Sequence, residues 1–142
     1  MSDVTQRIAC KAVIANKDGK VLLLREASTY EEGTQTHRYH MPGGRLNPGE
    51  PFLEGLAREV GEETGLKVAT GEPIYIGERF PVIKGVQNQI VAIFFACEAQ
   101  TENVRLSEEH DQYEWVDAES WKRFDVMDPE DKVLEKYFSL LK

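Results

Sequence analysis

The sequence predicts one α/β domain over residues 1–142, in which helices cover a mixed, mostly antiparallel sheet. Three observations support this fold class. Apolar runs of strand length are separated by turn residues, two other segments carry apolar residues at helical spacing, and no repeat or linker interrupts the 142 residues. A chain of this length buries roughly two-thirds of its unfolded surface, so one hydrophobic core is enough.

Composition and charge limit the classes of function. Hydrophobic residues make up 41% and the net charge is −8, which disfavours the broad basic surface that long nucleic acids require. The longest apolar run, residues 90–97, is far shorter than the ~20 residues that span a bilayer, and the N-terminus lacks a signal-peptide pattern. We therefore expect a cytoplasmic protein that binds a small molecule.

The first predicted elements form a β-hairpin. Residues 8–16 have a strand pattern, Asp18-Gly19 supplies the turn, and residues 21–24 form the second strand. Residues 26–40 are polar without a clear period, so we expect a long loop, and such loops are usually functional. A second loop is expected after Met41.

Residues 51–64 carry the clearest helical pattern. Pro51 suits the first helical position and Gly65 suits the residue that ends a helix. Gly55 costs ~1 kcal/mol relative to alanine inside a helix, so packing must outweigh that loss. The predicted apolar face consists of Leu53, Leu56, Ala57, Val60 and Thr64.

The next segments predict a second antiparallel pair. Residues 74–82 and 89–99 have strand patterns, with the turn residues Lys84 and Gly85 between them. Cys10 and Cys97 lie in strand-like segments, far apart and without metal-ligand spacing, so both are expected to be buried free thiols.

The C-terminal part predicts a short strand, a short helical segment and a final helix. The strand covers residues 113–116, one or two helical turns follow at 118–124, and Asp128-Pro129-Glu130 begins the last helix. Its apolar stripe packs on the sheet or on a partner subunit, which leaves a homodimer possible. The stripe consists of Val133, Leu134, Tyr137, Phe138 and Leu141.

Three glutamates share one side of the 51–64 helix. Glu59, Glu62 and Glu63 are related by helical spacings of three and four residues, so their side chains are neighbours. Like charges this close repel, and a bound cation would compensate them. Carboxylate oxygens suit Mg²⁺, with Mn²⁺ also possible. The alternative interpretation is a solvated acidic face.

Nearby residues favour the metal hypothesis. Gly43 and Gly44 permit close backbone approach, so a carbonyl oxygen could reach a metal held by the helix. Arg58 precedes Glu62 by one turn and could orient its carboxylate, and Glu50 adds an acidic group at the helix start.

Together these residues resemble a complete Nudix box. The matching positions are Gly44, Glu50, Arg58, Glu59, Val60, Gly61, Glu62, Glu63, Thr64, Gly65 and Leu66. The resemblance implies an α/β/α sandwich and hydrolysis of a nucleoside diphosphate linked to another group. It also implies Gly43, Glu59, Glu62 and Glu63 as metal ligands, with Arg58 and Glu50 orienting them.

The expected reaction is attack of water on phosphorus, with no covalent enzyme intermediate. A metal lowers the pKa of bound water, and a carboxylate accepts the proton. Glu59 is the first candidate for that base. Glu108 or Glu109 is the second, because their loop resembles a region where some relatives place a base or an extra ligand. An acidic, solvated turn is the alternative interpretation of that loop.

Substrate recognition is expected from loop residues outside the box. Tyr30, Tyr39 or Phe80 could stack on a base, and the candidate phosphate-binding residues are Arg25, Arg38, Arg45, Arg79 and Lys84. A nucleoside triphosphate is favoured, with nucleotide sugars, ADP-ribose and dinucleoside polyphosphates as alternatives. His37 and His40 lack the further ligands of a zinc site. A non-catalytic nucleotide-binding module is the competing function.

Overall fold

The computed structural model describes residues 3–141, which contain eight strands, two α-helices and a short 3₁₀ helix. In chain order they are β1 (Thr5–Ala15), β2 (Val21–Glu26), β3 (Tyr39–His40), β4 (Gly43–Arg45), α1 (Phe52–Thr64), β5 (Val68–Arg79), β6 (Val82–Ile83), β7 (Val86–Ala99), β8 (His110–Val116), a 3₁₀ helix (Ser120–Arg123) and α2 (Glu130–Leu140).

The sheet is mixed and mostly antiparallel, as predicted. Its central path runs β3-β2-β1-β7-β5. β1 and β7 are parallel along eleven residue pairs, from Thr5 with Asn88 to Ala15 with Glu98, whereas the other strand pairs of the described chain are antiparallel. The predicted β1–β2 hairpin and β5–β7 pair are therefore confirmed.

β1 changes partner along its edge. It pairs with β2 at Ala15 and Val21, but farther from that turn it pairs with β4, where Lys11 lies opposite Gly43. The Ala12 N–H also donates to the Pro42 carbonyl, at 2.8 Å. This pairing holds the glycine segment before α1 against the middle of the sheet.

Two hydrophobic clusters lie on opposite faces of the sheet. Side chains alternate along a strand, so Val13 of β1 joins the cluster that contains Val133 and Leu134 of α2. Ile14 joins the other cluster, with Leu56 of α1. The helices therefore cover both faces, which confirms the α/β class, and Cys10 and Cys97 are buried free thiols.

Helix α1 matches the prediction at its ends but not across its whole apolar face. Pro51 directly precedes it, and Gly65 ends it in the left-handed conformation, with φ 73°. Leu53 is 50% exposed and Ala57 is exposed. The helix is rotated so that Glu63 is buried beside β4, a contact that the apolar pattern alone does not contain.

Other boundaries differ where pairing between distant segments decides the structure. The predicted 26–40 loop contains the end of β2 and all of β3, and β4 lies where a loop was expected. In α2, Val133 and Leu134 are buried against the sheet, but Leu141 lies beyond the helix and is 62% exposed. Across residues 3–141, the helices are too short or too polar to cross a membrane.

Candidate active site

The three box glutamates occupy different environments. Glu63 is 5% exposed, and its Oε1 accepts a hydrogen bond of 2.9 Å from the Gly43 N–H. Glu59 is partly buried, whereas the Glu62 side chain is 59% exposed. Glu63 is therefore the innermost of the three carboxylates.

Two glycines allow the helix carboxylates to approach β4. Gly43 has φ 133°, and a Cβ there would collide with the Cys10 carbonyl oxygen. A Cβ on Gly44 would lie 2.8 Å from the Glu59 carboxylate. The side chain of any other residue would separate Glu59 and Glu63 from the backbone.

Arg58 organises the acidic groups around the helix. Its Nε donates to Glu50 Oε2 at 2.7 Å and its Nη2 donates to Glu50 Oε1 at 3.0 Å. Its Nη1 donates to Glu59 at 3.1 Å and to Glu62 at 3.3 Å. The hydrogen bonds that Glu50 accepts from Arg58 and from the Asn47 N–H lower its pKa to about 2. Arg58 and Glu50 thus lie where orienting partners were expected.

Burial leaves the inner carboxylates short of positive charge. Burial raises the pKa of Glu59, and raises that of Glu63 well above its ordinary value despite the Gly43 hydrogen bond. An ionised carboxylate in this position is costly unless a cation compensates it. A divalent metal ion would provide that compensation.

The turn before β8 and the first residue of β8 contribute two further groups. Potential ligand atoms of Glu63, Glu109 and His110 all lie within 4.8 Å of one another. The sequence named Glu108 or Glu109 as the second candidate base but did not single out His110, because that residue has no ligand-like spacing to the box. Oxygen-rich donor sets of this kind fit Mg²⁺ or Mn²⁺.

A buried polar chain continues from this cluster. His110 Nε2 lies 2.7 Å from His40 Nε2, and His40 Nδ1 lies 3.0 Å from Lys11 Nζ. Lys11 forms an ion pair of 2.9 Å with Glu130, which is 1% exposed. Burial, followed by the Lys11 charge, lowers the pKa of His110 to about 4 and that of His40 well below its ordinary value. Both imidazoles are therefore neutral at pH 7.

A cavity of about 300 Å³ connects the acidic groups to an apolar region. Glu59, Glu63 and Glu109 line one end. The apolar lining residues are Ala9, Leu46, Ile83, Ile90, Ala92, Phe94, Met127 and Pro129. Lys11 and Glu130 also line it, so one continuous space adjoins a potential metal site and an apolar surface with a buried ion pair.

Among the predicted phosphate-binding residues, Arg45 and Arg79 line this cavity. Arg45 pairs with Glu32 at 3.0 Å, and Arg79 donates to Thr34 Oγ1 at 3.1 Å. Burial lowers the pKa of Arg79, which an anionic ligand would offset.

Other predicted substrate residues have structural neighbours instead. Arg25 pairs with Asp111 at 2.7 Å, and Arg38 pairs with Asp125 at 3.2 Å. Tyr39 is 7% exposed and belongs to the hydrophobic core, where its ring packs edge-on against Phe124. None of these three residues lines the cavity, and the pairing of β3 with β2 turns Tyr39 inward.

The remaining candidates are divided between the cavity and the surface. Tyr30 lines the cavity. Phe80 is exposed, and Lys84 pairs with Glu32 at 3.7 Å on the surface.

Comparisons with known proteins agree with this geometry. Residues 5–137 match the family model described as the NUDIX domain. The solved MutT protein of Methanosarcina mazei Go1 has a TM-score of 0.78 and 30% identity, covering 98% of this chain and 96% of that chain.

Two sequence relatives carry descriptive names. The nucleoside triphosphatase NudI of Enterobacter sp. (strain 638) is 30% identical over 128 residues, covering 85% of this chain and 89% of that protein. The MutT-like protein of Streptomyces ambofaciens is 32% identical over 109 residues, covering 77% of this chain and 62% of that protein. Several matched relatives are longer still, so this chain spans less than two-thirds of their length.

Proposed function

This chain belongs to the Nudix family, and from that premise we propose that it is a metal-dependent pyrophosphohydrolase that cleaves a phosphoanhydride bond in a nucleoside diphosphate derivative. The proposal rests on one observation, which is that Glu59, Glu63 and Glu109 together line a cavity of about 300 Å³. Cavities of roughly this size hold small ligands.

Mg²⁺ is the proposed cofactor, with Mn²⁺ as a substitute. Glu63 and Glu109 are the first ligands because they are the carboxylates of the inner cluster. Glu59, the exposed Glu62 and the Gly43 carbonyl are the further oxygen donors. When bound, the metal neutralises phosphate charge and lowers the pKa of water.

The protein side chains supply the remaining steps. We assign proton removal from the attacking water to Glu59, because burial raises its pKa and a base works best when its pKa is near the working pH. Arg58 holds that carboxylate at 3.1 Å and thereby limits its orientations. Arg45 and Arg79, which line the same cavity, would bind phosphate oxygens.

The favoured substrate is a nucleoside triphosphate. The phosphates would lie at the acidic end with the metal, and the base would lie against the apolar lining formed by residues such as Ile83 and Met127. The NudI relative is named a nucleoside triphosphatase, which supports this class. Nucleotide sugars, ADP-ribose and dinucleoside polyphosphates are the other candidates.

A screen of these compounds tests the proposal. The full chain is incubated with each compound and Mg²⁺, and products are separated so that release of pyrophosphate is distinguished from release of phosphate. We expect hydrolysis of at least one compound, no turnover in excess EDTA, and recovery when Mg²⁺ or Mn²⁺ is added back.

A matched pair of variants controls for contaminating phosphatases. Glu63→Gln should remove the activity, while Glu54→Gln on the exposed first turn of α1 should retain it. Full activity in EDTA would overturn metal dependence. Nucleotide binding without turnover of any compound would instead support the non-catalytic module.

A further inference from the structure

The buried chain Lys11–His40–His110 reaches the acidic cluster without being part of the box. Its two inner contacts are 3.0 Å between Lys11 Nζ and His40 Nδ1, and 2.7 Å between His40 Nε2 and His110 Nε2. In each contact one atom must donate a hydrogen and the other must accept it. The identity of the first donor therefore determines all the others.

Lys11 determines the direction of hydrogen bonding from Lys11 through His40 to His110. An ammonium group carries only donors, and Lys11 forms an ion pair of 2.9 Å with the buried Glu130 carboxylate. His40 Nδ1 must then accept, so a neutral His40 carries its proton on Nε2. That N–H donates to His110 Nε2, which leaves the His110 proton on Nδ1.

Other protonation states place two donors face to face. A cationic His40 would direct Nδ1–H at the Lys11 ammonium. A cationic His110 would donate from Nε2, so His40 would again have to carry its proton on Nδ1 against Lys11. A Lys11 ammonium group, which can only donate, therefore fixes the direction of these hydrogen bonds in each alternative.

The Nδ1 atom of His110 is the last atom in this hydrogen-bonded series. It is buried without a hydrogen-bond partner, and the residue is 6% exposed. The imidazole nevertheless belongs to the group in which Glu63, Glu109 and His110 offer atoms within 4.8 Å of one another. A protonated nitrogen has no lone pair for a metal, but it can donate to a carboxylate oxygen.

We propose that Lys11 and His40 hold His110 in the Nδ1–H tautomer, and that this N–H donates to the Glu63–Glu109 carboxylate pair when a metal draws the two together. His110 is then a positioning residue for the metal site and not a ligand. This proposal depends on the proposed function in one respect, which is that Glu63 and Glu109 bind the metal. The tautomers themselves do not depend on catalysis.

Heteronuclear NMR of the metal-free full chain, with ¹⁵N-labelled histidine, reads the tautomers directly. The chain has three histidines, and exposed His37 provides an internal reference. We expect His40 to be protonated on Nε2 and His110 on Nδ1, which are opposite tautomers within one protein. Protonation of His110 on Nε2 would overturn the proposal, whether or not the protein hydrolyses any nucleotide.

Metal binding tests the role of the N–H. The amide nitrogen of asparagine can occupy the position of Nδ1, whereas that of glutamine lies closer to Nε2. We expect His110→Gln to weaken Mn²⁺ binding about 10-fold or more, as loss of a group that orients ligands does, and His110→Asn to retain most of it. His37→Gln is the matched surface control.

Pulsed EPR of the Mn²⁺-loaded wild-type protein separates donor from ligand. We expect no hyperfine coupling from a directly bound imidazole nitrogen. Such a coupling would show that His110 is a ligand and would overturn the proposal. Because both spectroscopic measurements use the wild-type chain, they give a decision even if a His110 variant fails to fold.

Discussion

Two groups of buried charge that line the cavity are compensated in opposite ways. Beside α1, Glu59 and Glu63 are carboxylates whose pKa values are raised because burial outweighs the donors around them. The buried Glu130 carboxylate of α2 is instead neutralised within the protein by Lys11 at 2.9 Å. The first group requires a cation from outside and the second does not, so we assign metal binding to the first group and recognition of the base to the apolar lining of the cavity.

The largest expected effect comes from breaking the internally neutralised Lys11–Glu130 pair. Glu130→Gln leaves Lys11 buried without its counter-ion, so we expect the free energy of unfolding to fall by roughly 3–5 kcal/mol. Urea unfolding measures it, with exposed Glu135→Gln on the same helix as the control. A loss no larger than that of the control would show that the Lys11–Glu130 ion pair does not stabilise the fold.

At the acidic end, the same chemical change should affect activity instead. Glu63→Gln removes one carboxylate from the metal site, and we expect kcat/KM to fall by about 100-fold or more. The fold should survive, because glutamine can still accept the Gly43 hydrogen bond. Steady-state kinetics and thermal melting measure the two effects. Near-normal turnover at saturating Mg²⁺ would remove Glu63 from the site.

A smaller effect is expected for an apolar residue of the cavity. Ile83→Ala should change the ratio of kcat/KM values between a purine and a pyrimidine nucleoside triphosphate by a free energy of ~1–3 kcal/mol. The Mg²⁺ requirement should not change, because Ile83 contributes no metal ligand. Exposed Val82→Ala is the control. An altered Mg²⁺ requirement with an unchanged ratio would contradict the division of labour.

The smallest effect is a pH dependence of the metal-free protein. Because the pKa of Glu63 is raised in the folded state, ionising it destabilises the fold as pH rises above its ordinary value of 4.5. We therefore expect Glu63→Gln to have the higher Tm at pH 7, and the gap to close as pH falls below 4.5. Thermal melts of both proteins in EDTA measure the gap. A lower Tm for Glu63→Gln than for the wild type at pH 7 would show that other groups of the folded protein already compensate the Glu63 carboxylate.

A contrast between local signals and contacts of distant segments explains which residues the sequence could predict. The ends of α1 depend on the local signals Pro51 and Gly65, so its bounds were predicted within about one residue. The shared side of the box glutamates follows from helical spacing alone. His110, Lys11 and Glu130 come from separate elements that meet only through the β1–β4 and β2–β8 pairings and the packing of α2. No short-range pattern links them.

Tyr39 shows what local patterns cannot predict. From the sequence, this aromatic residue at the end of a polar segment was one of three that could stack on a base. Pairing of β3 with Leu24 and Arg25 of β2 instead places Tyr39 in the core. Short strands of two or three residues carry too little alternation to be recognised in a sequence.

The location of a bound Mn²⁺ ion tests the central claim most directly. Mn²⁺ broadens the NMR signals of nearby residues, so a titration of the ¹⁵N-labelled full chain maps its position. We predict that the first signals lost are those of Gly43, Glu59, Glu63 and Glu109, before those of Ile83 and Met127 at the apolar region. Broadening that begins elsewhere, or that is the same in Glu63→Gln, would contradict the assignment of the metal to the acidic end.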